Sequence, residues 1–148
     1  MSTEQKLRTI LEKYATDSQR MHLFNTAASR ATSGKLDDQF TFGHIADRYV
    51  DQYGLQMNTE DYVEGKKILF GFFKDLAEKG QVQSMRYTAA NYANGYNNVS
   101  VKKQGENATR IIRKPDMDKA LSWAKKAEAK GDKIAKNIRM SIETRHKP

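Results

Sequence analysis

The stretch from Asn58 to Gly80 constrains this chain more than any other. It lies between an asparagine able to cap a helix and a glycine able to end one, and its apolar residues recur at helical spacing. Projected at about 100° per residue, Tyr62, Leu69, Phe72, Phe73 and Leu76 form one compact face. Val63, Phe70 and Ala77 widen one flank, and Ile68 the other. The pattern predicts a helix over about 60–79 at the centre of a core.

Similar spacing precedes it. Leu7, Ile10, Leu11 and Tyr14, then Met21, Leu23 and Phe24, read as one helix or two over 3–30, with Thr3 as the opening cap. Residues 31–40 read as a loop. Thr41 is placed to cap a helix over 42–53, which puts Phe42, Ile45, Ala46, Tyr49 and Val50 on one face, and Gly54 is a natural stop. Whether residues 1–30 join the same core is not fixed by the pattern.

After Gly80 the period changes. Gln81 to Thr88 and Val99 to Lys102 favour strands, and Asn94-Gly95 between them is a hairpin signal, because a type I′ turn needs positive φ at both central positions. That turn would pair Ala90 with Val99 and Thr88 with Val101. Residues 102–109 read as a polar loop, and Thr109 to Arg113 as a third short strand. Pro115 and Asp116 open a long C-terminal helix. Its stripe, Met117, Leu121, Ala124, Ala135, Ile138 and Ile142, has 4-3 spacing suited to docking on the domain or pairing with a second copy. Gly131-Asp132 is a possible break. Lys119, Lys126, Lys130 and Lys133 gather opposite the stripe, with Trp123 near them.

Helix 42–53, a short link, helix 60–79, Gly80-Gln81-Val82 and then a hairpin: this order resembles a winged helix-turn-helix domain over about residues 40–104. Phe42-Gly43-His44-Ile45-Ala46-Asp47-Arg48-Tyr49 resembles the first helix of such a motif, and Phe73, Leu76, Gly80 and Val82 resemble the passage from its second helix into the wing. The resemblance implies an α+β, mostly helical fold: a winged-helix-like domain over 1–115 with a basic helix over 116–148, docked or dimerising. It also implies DNA binding, with residues 81–104 as the wing and the outward face of helix 60–79 near the major groove. That face carries Glu60, Glu64, Lys67, Gly71, Lys74, Asp75 and Glu78, four acids against two bases. Phosphates would be repelled, so either contact is limited to the first turns, at Lys66 and Lys67, or this helix is not the reader.

The net charge of +8 is unevenly distributed. Residues 1–54 balance seven basic against seven acidic side chains, 55–82 hold four against five, and 83–148 hold fifteen against six. A segregated excess of this size suits a polyanion, because each Lys or Arg that meets a phosphate releases condensed counterions. A solvated basic surface that only aids solubility is the alternative.

Other classes find little support. The chain has no cysteine, which excludes disulfides and thiolate metal sites and is compatible with a reducing, cytoplasmic or nucleoid-associated location. No apolar run spans a membrane, and the first residues lack a signal core. His22, His44 and His146 have no metal-ligand spacing, and phosphate-loop and nucleophile-elbow motifs are absent. Pro115-Asp116 with Glu128-Ala129-Lys130 matches a loose nuclease signature, but that chemistry needs these groups on adjacent strands, whereas Glu128 and Lys130 fall in a helical segment. The expectation is a binding protein without catalytic residues, cofactor or metal.

Duplex DNA is the expected partner, with RNA as an alternative through tyrosines stacking on unpaired bases. The expected contacts are Lys66, Lys67, Arg86, Tyr92, Asn94, Tyr96, Asn97, Lys102, Lys103, Lys126 and Lys130, chosen as cations for phosphate, amides for phosphate or base edges, and aromatics for stacking. The rival reading is a protein-interaction module, an adaptor or inhibitor of a nucleic-acid machine, which would use helix 60–79 or Trp123.

Overall fold

The computed structural model describes residues 2–15, 17–105 and 109–145. They form a mostly helical α+β fold of seven helices and one two-stranded sheet. The helices are α1 (Thr3–Glu12), α2 (Ser18–Ala31), α3 (Leu36–Gln52), α4 (Thr59–Glu78), α5 (Val82–Asn94), α6 (Met117–Ala129) and α7 (Lys133–Arg145). The strands, β1 (Val99–Lys103) and β2 (Thr109–Arg113), stand between α5 and α6. No helix among the described residues is long and apolar enough to cross a membrane.

The first four helices build the larger core. Ser2, not Thr3, caps α1, in a reciprocal capping box with Gln5, and Asp17 caps α2, so residues 3–30 are two helices. Helix α3 begins at Leu36, well before Thr41. The Thr41 hydroxyl donates back to the Asp37 carbonyl within the helix instead of capping it, and Asp37 and Asp38 supply first-turn charge. Leu7, Leu11 and Phe24 pack with Phe42, Ala46, Val50, Leu69 and Phe73 in one cluster, so α1 and α2 share the core of α3 and α4. Asn58 caps α4 by accepting from the Asp61 amide, and the expected apolar face points inward.

The largest departure from the sequence reading follows Gly80. Residues 82–94 are helix α5, not a strand, and the Gln81 side chain caps it by accepting from the Ser84 amide. Gly95 has φ of +82°, as the hairpin reading required, but it serves as a left-handed helix C-cap rather than a turn between strands. A Cβ there would come within 2.8 Å of Arg113 Cβ and the Lys114 nitrogen, so glycine also lets the end of α5 meet the end of β2. The hairpin is instead β1 with β2, and Val99 faces Arg113 and Val101 faces Ile111. The expected hairpin within 81–104 is thus replaced by one formed from Val99–Lys103 and Thr109–Arg113.

Helix α5 is enclosed. Its Tyr92 meets Phe70 of α4 edge-on, with ring centroids 5.1 Å apart. Met85 packs with Ala77, Ala127 and Ala135, and Tyr92 with Ala120 and Ile142. The expected C-terminal helix breaks at Gly131, φ +97°, into α6 and α7, and its apolar stripe docks on α5. Arg139 of α7 closes this helical pair by donating to both Glu128 oxygens at 2.5 and 3.1 Å.

Candidate nucleic-acid interface

The hairpin presents an exposed basic surface. Lys102 and Arg110 stand directly opposite one another across the two strands, so both side chains emerge on the same face. Both are exposed, as are Lys103, Arg113 and Lys114. Like charges directly opposite on a ribbon repel, and among the described residues no carboxylate lies within salt-bridge reach of either partner. The hairpin is held to α4 by buried Val99 and by a 3.1 Å contact between the Thr59 and Thr109 hydroxyls.

Beyond Pro115, exposed cations continue as Lys119, Lys125, Lys126 and Lys130 of α6 and its cap, and Lys133, Lys136 and Arg145 of α7. Lys126 lies 4.5 Å from the centre of the half-buried Trp123 ring, a cation–π contact that fixes the indole beneath the lysine. The contrast with the rest of the molecule is in pairing. Arg8, Lys13, Arg20, Lys66, Lys74 and Lys79 all stand beside carboxylates. From residue 83 onward only Arg86 and Arg139 do so among the described residues.

The eleven expected contacts divide accordingly. Lys67, Asn94, Lys102, Lys103, Lys126 and Lys130 are exposed. Tyr96 and Asn97 are half-buried in the turn after α5, and one Asn97 amide atom, Oδ1, is buried without a partner among the described residues. Three others are engaged inside the fold. Lys66 is only 6% exposed and donates to Asp47 at 3.1 Å and Asp51 at 2.6 Å, so it does not face solvent phosphate. Tyr92 is buried against Phe70. Arg86 is held by Asp132 at 3.0 Å and lies over the Tyr87 ring. Arg110, Arg113, Lys114 and Lys136 are further exposed cations of the basic segment that the sequence reading did not single out.

A second feature, which the sequence did not single out, is a polar cavity of about 420 Å³ between α3, α4, α5 and α7. Lys66 lies at its floor, 5.0 Å from the centre of the Tyr96 ring and 5.8 Å from that of Tyr62. Burial alone would lower the lysine pKa, but Asp47 and Asp51 outweigh it and hold the ammonium above its ordinary value. Burial pushes the Asp47 carboxyl up, against the pull of Lys66 and with a push from Asp51. Burial and the Tyr96 hydroxyl at 3.3 Å raise Tyr62 above the usual phenol range. Asp47 and Asp51, one turn apart on α3, are the legible signal for this cluster.

The groups of the nuclease-like pattern do not converge. Asp116 caps α6 and Glu128 lies near its other end, roughly 18 Å away along the helix. No cluster of potential metal ligands occurs among the described residues. His146 lies outside the described residues. No protein-family model, curated protein or solved structure matches the chain.

Proposed function

We propose that this chain is a nucleic-acid-binding accessory protein that grips the sugar–phosphate backbone of duplex DNA with its β1–β2 hairpin and the lysine-bearing surfaces of α6 and α7. The observation that carries the reading is the exposed Lys102–Arg110 pair, which has no carboxylate within salt-bridge reach among the described residues, together with the cations that continue from it and are likewise unpaired among those residues. Such an arrangement is unfavourable in the free protein and is relieved by bridging phosphates.

The order α3, α4, α5, β1, β2 supports a winged-helix reading in which α5 occupies the reading-helix position and 99–113 the wing. Two facts argue that sequence readout is weak. Helix α5 exposes little beyond Gln83 and Asn94, and the outward face of α4 is dominated by Glu60, Glu64, Asp75 and Glu78. Backbone contacts position a protein on DNA without specifying a sequence.

The test is a double charge reversal, Lys102→Glu with Lys103→Glu, both exposed at the hairpin end. Binding is expected to weaken similarly on all duplex sequences, with a shallower salt dependence. An unchanged slope would remove the hairpin from the interface. The acidic face of α4 favours one second reading, a protein-interaction surface of an adaptor, which gains ground if no nucleic acid binds.

A further inference from the structure

The polar cavity beside the hairpin is built for a ligand that the basic surface cannot hold. Its walls are Asp47, Asp51 and Lys66 on one side, Asn91 and Asn94 of α5 along another, and Tyr96 at the hairpin end, with Ile134 and Ile138 of α7 opposite. At about 420 Å³ it suits one ring-sized group and excludes a duplex.

Its chemistry narrows the choice. Lys66 occupies Oδ1 of both Asp47 and Asp51, and their Oδ2 atoms accept no hydrogen bond among the described residues. Arg86 is neutralised by Asp132. The interior therefore disfavours a phosphate, yet it offers free carboxylate acceptors to N–H donors. The Asn91 and Asn94 side-chain amides make no hydrogen bond among the described residues, and each supplies a donor and an acceptor in one plane. Ile134, which is 53% exposed, offers an apolar edge, while the Tyr96 ring is already overlaid by Lys66 and Arg113.

Position supplies the link to the basic surface. Arg113, at the end of β2, donates to the Tyr96 hydroxyl at 3.4 Å and lies 5.5 Å from its ring centre. A nucleotide whose base entered the cavity would leave its phosphate beside this guanidinium.

We infer that the cavity receives a single unpaired nucleobase bearing an exocyclic amino group. The base packs against Ile134, its amino group donates to Asp47 or Asp51, and Asn91 and Asn94 read its edge. Carboxylate acceptors and amide forks are the groups that pair with amino-bearing bases, and a thymine carbonyl would face the carboxylates unfavourably. The inference rests on the nucleic-acid reading above and deepens it: the preferred substrate is a strand with an unpaired base, not a perfect duplex.

The test has two arms. In the first, cytidine, guanosine, adenosine and thymidine are titrated into the full chain while the side-chain amide resonances of Asn91 and Asn94 are followed by NMR. Saturable shifts with an amino-bearing nucleoside, and none with thymidine, are expected. No shift with any nucleoside, or equal shifts with thymidine, overturns the assignment whatever the polymers do. In the second, a duplex with one bulged cytosine is compared with the perfect duplex by anisotropy. The bulged form is expected to bind about tenfold tighter, and Asn91→Ala with Asn94→Ala to abolish that preference while leaving the salt dependence intact. A preference that survives both substitutions contradicts the proposal. Nucleoside binding without polymer binding would retain the pocket and sink the backbone-gripping reading.

Discussion

Two fully buried hydroxyls show how tightly α5 is enclosed. Ser84 and Thr88 are 0% exposed, one turn apart, and neither hydroxyl has a hydrogen-bond partner among the described residues. A buried donor left unpaired costs free energy, whereas valine has the shape of threonine without the polar atom. Thr88→Val is therefore expected to stabilise the fold by about 1 kcal/mol, read as a higher urea midpoint at unchanged slope. A lower midpoint would mean that the hydroxyl has a partner. Lys66 makes the complementary point. The sequence reading takes it as a phosphate contact in the first turns of helix 60–79, but the helix turns it toward Asp47 and Asp51. The charge was legible and its partners were not, because α3 and α4 meet only through tertiary packing.

The same division holds for whole elements. Helix α4 was legible because large apolar residues mark its inner face. Helix α5 was not, because its buried positions include Ser84, Thr88 and Ala89, which carry little hydrophobic signal, while Gln81 to Thr88 alternates like a strand. Asn94-Gly95 then fits two structures, since both a hairpin turn and a helix C-cap call for glycine at positive φ. Gly95→Ala tests the C-cap. The left-handed backbone and the 2.8 Å approach of Arg113 Cβ together should cost about 2 kcal/mol or more in denaturant unfolding. A loss below about 0.5 kcal/mol would show that neither constraint holds. In the hairpin, Arg110→Glu gives Lys102 an opposite partner. Stability should rise by up to about 0.5 kcal/mol while DNA affinity falls, a divergence that separates a binding role from a structural one. If affinity is unchanged, the pair does not touch phosphate.

At the scale of the molecule, six of the eleven cations up to Lys79 sit beside carboxylates, while of those after it only Arg86 and Arg139 do so among the described residues. The charge segregation was plain in the sequence. Which cations reach solvent was not, since Lys66 and Arg86 are tied down by acids distant in the chain. The polar cavity was equally hidden, because its walls come from four helices. A protein that holds DNA through an unpaired basic surface should bind unrelated sequences with similar affinity and release them as counterions compete. The most direct test is an anisotropy titration of several unrelated duplexes over a series of salt concentrations. Near-equal affinities, with log K falling linearly and steeply against log salt, are the predicted result; no binding at low salt, or affinity insensitive to salt, would contradict it.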